Sequence, residues 1–476
     1  MDAPVILWFR DDLRLADHAA SHAAHATGRP VLPVYVLDDK AQDLGGAARW
    51  WLHHSLASLA NRLSSQGSRL TLRRGAASEI IPALAEAIGA AEVFTGGLAA
   101  PTARATDRAI ADHLTPRGVR FHRMRTTTLF RPDQAKTKAG GSFSVYTPFA
   151  RACLALPPPD PLPAPALSVP SPIVPSDRLE DWRLLPSRPD WAAGLREAWT
   201  PGEAGARQRL DRFLTDSIAG YAVNRHVPGI DRTSMLSPHL RFGEISPAQV
   251  LHAVRARVTG EDANKFINEV LWREFSHHLL WHHPTLPDAP LRPEFAAMPW
   301  RDDRAALKAW QRGQTGIPIV DAGMRQLWRT GWMHNRVRMI VASFLVKHLL
   351  IDWRLGQAWF WDTLVDADLA NNAASWQWVA GCGADAAPFF RIFNPVLQGQ
   401  KFDPDGAYVH RFVPELARLN PRYTHAPWDA SPAVLSEAGI VLGRTYPAPI
   451  ADLAGGRARA LAAFAGLRRD AAGQLP

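Results

Sequence analysis

Val5-Ile6-Leu7-Trp8-Phe9 is an unbroken apolar run of five residues. A run this short, rich in branched and aromatic side chains and without polar alternation, reads as a strand buried on both faces. Val31-Leu32-Pro33-Val34-Tyr35-Val36-Leu37 reads the same way, although Pro33 is awkward there because it removes a ladder donor. Arg69 to Arg73, Glu92 to Thr95 and Val119 to Met124 read as three further strands. Helical patterns lie between them at Ala47 to Gln66, Ala77 to Ile88 and Thr102 to Leu114. Strand and helix in alternation predict an α/β domain over residues 1–130, a doubly wound parallel five-stranded sheet with helices on both faces. Such a sheet is expected to bind ligands at the carboxyl ends of its strands.

The pattern then breaks. Pro157, Pro158, Pro159, Pro161, Pro163, Pro165, Pro170, Pro172 and Pro175 fall within 157–175. Proline lacks a backbone donor and restricts the residue before it, so neither helix nor sheet runs through. This Pro-rich linker sits inside a connector over 131–200. From 201 to 476 strand signals fade and helical periodicity takes over, predicting a large all-α domain whose Ala-rich tail ends in a helix from Gly455 to Arg468. No internal repeat is visible.

Composition sets outer limits. The 476 residues are 47% hydrophobic and 21% charged, ordinary for a globular chain long enough for two or three cores. No apolar run reaches membrane-spanning length. The charged start, with Asp2, Arg10, Asp11, Asp12 and Arg14, is unlike a signal peptide. Two cysteines, Cys153 and Cys382, make neither a disulfide framework nor a metal cluster, and a cytoplasmic location is expected. The net charge of +9 suits an acidic polymer such as nucleic acid, or simply a basic surface. Eighteen tryptophans suit either a dense helical core or aromatic surfaces that stack bases and move electrons.

Four segments carry candidate chemistry. In the first, Tyr221 to Arg225 precedes Thr233-Ser234-Met235-Leu236-Ser237-Pro238, where Ser237 reads as an N-cap before a first-turn proline. Hydroxyls and free backbone N–H groups at a helix start suit a phosphate, and an ordinary capped helix fits equally. In the second, Glu269, Trp272 and Arg273 share one helical face at i, i+3 and i+4. They suit a flat, hydrogen-bonding ligand or a solvated ion pair beside a core indole. In the third, Trp332-Met-His-Asn335-Arg336-Val-Arg338-Met339, residues Asn335, Arg336 and Met339 can line one cavity while Arg338 points elsewhere. In the fourth, Asp366, Asp368, Asn372, Trp376 and Trp378 crowd into thirteen residues without His or Cys at metal-ligand spacing, so no metal is expected.

Taken in order, these segments resemble the photolyase/cryptochrome family. Leu7-Trp-Phe-Arg-Asp-Asp-Leu-Arg-Leu-Ala-Asp-His18 is similar to its opening strand and loop, and Trp332 to Met339 and Asp366 to Trp378 are similar to its flavin core. The resemblance covers nearly the whole chain. It implies that the all-α domain binds FAD, active in its reduced anionic form, through Tyr221, Thr233, Ser234, Met235, Leu236, Ser237 and Arg273. Asp366 is implied to pair with Arg338, Asp368 to bond the flavin ring, and Asn372 to face its N5 atom. The implied reaction is light-dependent repair of cyclobutane pyrimidine dimers in DNA, by electron transfer from excited flavin to a dimer flipped out of the duplex. Glu269, Trp272, Asn335, Arg336, Met339 and Trp378 would form the dimer pocket, with Arg225 at its rim. Trp376, Trp353 and Trp300 match the family's electron-transfer chain.

Within the family, a (6-4) photolyase is disfavoured by Met333-His334-Asn335-Arg336 and Met339, where those enzymes carry further histidines. The alternative is a cryptochrome-like blue-light photoreceptor, disfavoured by the short segment Asp470 to Pro476 after the last helical pattern. The second pigment is less determined. Arg49-Trp50-Trp51-Leu-His53-His54-Ser55-Leu56 is similar to plant cryptochromes and class III photolyases, which implies 5,10-methenyltetrahydrofolate stacked on Trp50 or Trp51. Two core indoles are the other reading. Thr95-Gly-Gly-Leu-Ala-Ala-Pro101 departs from the Asn-Glu pair that binds folate in other bacterial relatives, which leaves deazaflavin, FMN or no antenna open. A monomer with dimer-containing DNA as partner, no obligatory protein partner, no membrane contact and a nucleoid-associated location completes the expectation.

Overall fold

The computed structural model describes residues 3–39, 43–167, 172–385 and 391–473, the last six through their backbone alone. Five strands, β1 (Val5–Phe9), β2 (Val31–Leu37), β3 (Thr71–Arg74), β4 (Glu92–Gly96) and β5 (Arg120–Met124), form one parallel sheet. Its order is β3-β2-β1-β4-β5. Strands β1, β2 and β4 are buried along their whole length, β1 and β2 as their unbroken apolar runs require. Ile6, Trp8, Val34, Val36 and Val93 pack with Ile81, Leu84, Ile110 and Leu114 of the covering helices. Strand β3 pairs with β2 only from Val34 onward, so at Pro33 the strand has a single neighbour, which makes the proline tolerable.

The crossover helices are α1 (Ala19–Ala26), α2 (Gly46–Ser64), α3 (Ala77–Ile88) and α4 (Pro101–Leu114). Helix α1 is absent from the sequence reading. Its cap is the His18 imidazole, which accepts from the Ser21 N–H at 3.0 Å, and Ala-rich AASHAAHA shows no sharp apolar stripe.

The strand order reverses between β1 and β4, where a ligand is expected. The chain's own side chains occupy that position. Arg10 donates through Nε to the Gly96 carbonyl at 3.1 Å and pairs with Asp107 at 2.9 Å. Asp12 accepts from the Arg10 N–H and Thr126 Oγ1, both at 2.8 Å, and lies 3.1 Å from His18 Nε2. Buried ion pairs therefore line this end of the sheet.

Beyond β5 the described residues form no further strand, and their regular structure is helical apart from an isolated bridge between Leu442 and Tyr446. The described part of 157–175 is irregular, as its prolines dictate, and Pro170 lies outside the described residues. The helices used below are α5 (Tyr146–Leu154), α6 (Tyr221–Asn224), α7 (Ser237–Arg241), α8 (Glu261–His282), α9 (Asn335–Ser343), α10 (Trp353–Thr363), α11 (Leu369–Ala380) and α12 (Leu453–Gly473). Helix α12 contains the predicted closing helix. The chain forms two compact units, one of Met1–Ala219, Ser234–Pro284 and Val365–Ala370, the other of Gly220–Thr233, Thr285–Leu364 and Asn371–Pro476. Among the described residues, no helix is long and apolar enough to cross a membrane, and no group of His, Cys, Asp or Glu is placed to hold a metal ion.

Candidate functional site

In the first unit the site is built on α8. Glu261 and Asp262 occupy its first turn, where carboxylates complement the helix dipole. Ala263, Phe266, Ile267, Val270 and Leu271 form its buried stripe, which leaves Glu269, Trp272 and Arg273 partly accessible on a neighbouring face. Arg273 turns its guanidinium to two backbone carbonyls, Thr127 at 2.7 Å and Leu240 at 3.3 Å, and lies 3.5 Å from Glu274. Trp272 stacks face to face on Tyr146 of α5, with ring centroids 3.7 Å apart and planes 5° from parallel.

Five residues further along α8, His277 Nε2 lies 3.5 Å from Asp368 Oδ2. Burial pushes the pKa of His277 down to about 4 against the pull of Asp368, so the imidazole is neutral at pH 7. The short segment holding Asp366 and Asp368 is tied down by Arg241, whose Nε donates to the Ala367 carbonyl at 2.6 Å. Arg241 is itself paired with Asp11 from the loop after β1, at 2.8 Å. Gly243 allows this approach: its φ is +62°, and a Cβ there would collide with the backbone of Asp11 and Asp12. Arg241, Asp11 and His277 are not among the site residues expected from sequence, since no period or motif links residues so far apart in the chain.

The segment before α7 departs from its predicted cap. The N-cap is Leu236, Pro238 lies in the first turn, and no side chain caps the helix. The predicted Ser237 cap is therefore shifted by one residue, a difference on the scale at which helix ends are defined. Met235 takes a left-handed φ of +48°, unusual for a side-chain-bearing residue. Its sulfur accepts from Arg209 at 3.5 Å, and Leu236 N–H donates to Ser234 Oγ at 3.4 Å.

In the second unit, Thr233 lies in the loop after α6, and Tyr221 is buried at the start of α6 with the Arg225 guanidinium 5.7 Å from its ring centre. On α9, Val337 and Ile340 face the core while Asn335, Arg336, Arg338 and Met339 are at least partly accessible. Arg336 donates to His226 Nδ1 at 2.9 Å and lies 4.3 Å over Phe402. Arg338 donates to the Met333 carbonyl at 2.8 Å. His334 caps α9 by accepting from the Arg336 N–H, and burial, with Arg336 and Arg338 nearby, pushes its pKa down to about 3. On α11, the Asn372 amide donates to the Gln357 carbonyl at 3.1 Å, which identifies its NH2 end and turns its oxygen the other way. Trp376 is buried against Phe360 and Trp310, and Gly356 of α10 is the contact that admits it, because a Cβ there would strike the indole. Trp353 is buried, Trp300 and Trp378 half-buried. Gln377 locks its turn of α11 by donating to the Leu286 and Ala289 carbonyls at 2.6 and 2.8 Å.

On α2 the structure decides between a pigment platform and a core. Trp51 is fully buried among Trp199, His239 and Phe242, and its indole N–H donates to the buried carboxylate of Glu244 at 3.0 Å. Trp50 is 1% exposed. The expectation that either ring lies open to a pterin is corrected: both are packed in the first unit.

Two family models match the chain, one described as DNA photolyase over residues 5–166 and one as FAD binding domain of DNA photolyase over 266–466. The chain belongs to the photolyase/cryptochrome family. It is 52% identical to the deoxyribodipyrimidine photo-lyase of Agrobacterium fabrum, with 98% of each chain covered. It is 37% identical to cryptochrome-1 of Arabidopsis thaliana, covering 95% of this chain and 69% of that one. A crystal structure of a bacterial class III photolyase from Agrobacterium tumefaciens matches with a TM-score of 0.95 and 52% identity, over 98% of both chains.

Proposed function

We propose that this chain repairs cyclobutane pyrimidine dimers in DNA in a light-dependent reaction, as a deoxyribodipyrimidine photo-lyase. The observation that carries the reading is helix α8. One rigid rod presents Glu269 and Trp272, suited to a flat substrate, and two turns later meets Asp368, suited to a hydrogen-bonding ring. Eight residues at a rise of 1.5 Å separate positions 269 and 277 by about 12 Å along the axis, a short span for an electron.

Several features support FAD as the cofactor. An uncapped helix start follows the hydroxyl-rich Thr233 to Ser237, which suits a diphosphate. Asp366 and Asp368 sit on a segment braced by Arg241, and Asn372 offers an acceptor oxygen that suits the N5–H of reduced flavin. Tyr221, Arg273 and Arg338 complete the assignment. The chemistry supplied by the bound group is an electron lent to the dimer on excitation and recovered after ring cleavage. In this reading Glu269 hydrogen-bonds the dimer, Trp272 and Trp378 stack on it, and Asn335, Arg336 and Met339 close the pocket. Arg225 meets backbone phosphate, and Trp376, Trp353 and Trp300 carry electrons inward to restore reduced flavin.

The antenna assignment is 5,10-methenyltetrahydrofolate near α2. His53 Nδ1, His54 Nε2 and Ser55 Oγ are buried without hydrogen-bond partners among the described residues, and such groups are normally satisfied. Burial lowers the pKa of both histidines, so they meet a ligand as neutral imidazoles. We assign 1–130 to the antenna-binding domain, 131–200 to the connector and 201–476 to the FAD-binding domain, in a cytoplasmic, nucleoid-associated monomer.

The test is to reduce the flavin, mix the protein with a thymine-dimer oligonucleotide, illuminate with blue light beside a dark control, and measure unmodified thymine. Light-dependent restoration, lost in Glu269→Ala and Asn335→Ala, is expected. No restoration with reduced FAD bound would transfer the reading to a photoreceptor. A near-ultraviolet band beyond that of flavin reports the antenna.

A further inference from the structure

We propose that Tyr146 is a positioning residue for damage recognition: it backs Trp272 and fixes the plane that the indole presents to a dimer. The inference rests on the reading of Trp272 as the dimer-stacking residue.

Isolated aromatic pairs prefer offset or edge-on geometry to a near-parallel overlay, so the Tyr146–Trp272 stack needs other contacts to hold it. Three are present. The Tyr146 hydroxyl lies 2.9 Å from both the backbone and side-chain oxygens of Asn268, one turn before Trp272 on α8. Phe275 sets its ring edge-on to both partners, at 6.0 Å from Tyr146 and 5.9 Å from Trp272. His278 pins the loop that leads into α5, since Nδ1–H donates to the Pro132 carbonyl at 2.8 Å and Nε2 accepts from the Phe143 N–H at 3.0 Å. Only a neutral imidazole makes both bonds, and burial keeps His278 in that state by pushing its pKa down to about 4.

Tyr146 is buried, whereas Trp272 is half-buried, so one face of the indole is covered by the phenol and the ring retains exposed surface. With its tilt already fixed, Trp272 gives up little side-chain freedom when a base stacks on it. Without that backing the indole must be ordered on binding, which weakens affinity by about two- to tenfold for one immobilised side chain.

The experiment measures the dissociation constants of dimer-containing and undamaged oligonucleotides for the flavin-loaded protein in the dark, with the flavin absorption spectrum and the repair quantum yield of the saturated complex. Tyr146→Met conserves volume and loses the flat plane. It is expected to weaken dimer binding by about three- to tenfold, with undamaged-DNA affinity, spectrum and yield unchanged. Tyr146→Phe keeps the plane and is expected to restore the preference to within about twofold of the parent. Tyr146→Leu is the second variant should the first not fold. Equal loss of both affinities, or an unchanged preference in Tyr146→Met while Trp272→Ala abolishes it, would overturn the role of Tyr146. An unchanged preference in Trp272→Ala would instead overturn the reading of Trp272, and the proposal with it.

Discussion

Arg241→Met removes the group that ties the Asp366–Asp368 segment to the loop after β1. Methionine fills much of the volume and carries no charge. The variant loses the 2.6 Å bond to the Ala367 carbonyl and the 2.8 Å pair with Asp11. Arg241 is 7% exposed, and breaking a buried pair by removing one partner costs about 3–5 kcal/mol. Asp11 is 27% exposed and regains part of its hydration, which places the loss near the lower figure, about 3 kcal/mol. At about 2 °C per kcal/mol for a large domain, Tm falls by about 6 °C. Flavin content is expected to fall further than Tm alone implies, because the loosened segment carries Asp366 and Asp368. Asp11→Asn keeps an acceptor for the guanidinium and should lose less of both. Thermal melts by circular dichroism, with flavin per chain from absorbance, decide the matter. A variant within 1 °C of the parent and carrying full flavin would refute the bracing argument.

Two further outcomes are expected. Burial pushes the Glu274 carboxyl up to about 7 against Arg273 and the N–H groups of Leu129 and Phe130. The folded chain therefore holds a proton that the unfolded chain releases near 4.5, so this group's contribution is full below that pH and is lost as pH rises towards 7. Glu274→Gln should gain urea resistance relative to the parent between pH 5 and 7.5, and a difference independent of pH contradicts the assignment. Arg225→Ala should lower the slope of log affinity against log salt by about one while leaving the preference for damaged DNA intact. A loss confined to damaged DNA would place Arg225 on the dimer and not on phosphate.

How much of this was legible beforehand depended on distance along the chain. The strands β1 and β2 are readable because burial on both faces demands continuous apolar runs, β4 and β5 from their place in the alternation of strand and helix, and α2, α3 and α4 because one buried stripe demands a helical period. Helix α1 was not, since its cap is an imidazole and its residues are mostly alanine. The face shared by Glu269, Trp272 and Arg273 follows from helical geometry alone. What each of those side chains touches does not. Arg273 reaches Thr127 and Leu240, Trp272 meets Tyr146, and Asp11, Arg241 and Ala367 join across more than three hundred positions. Trp50 and Trp51 show the same limit, because an indole that stacks on a pigment and one that fills a core look alike until its neighbours are known. Local order is encoded in neighbouring residues through backbone geometry and hydrophobic period. Contacts between distant segments are selected only when the whole chain packs, and the choice between platform and core, or between free and braced, was made there.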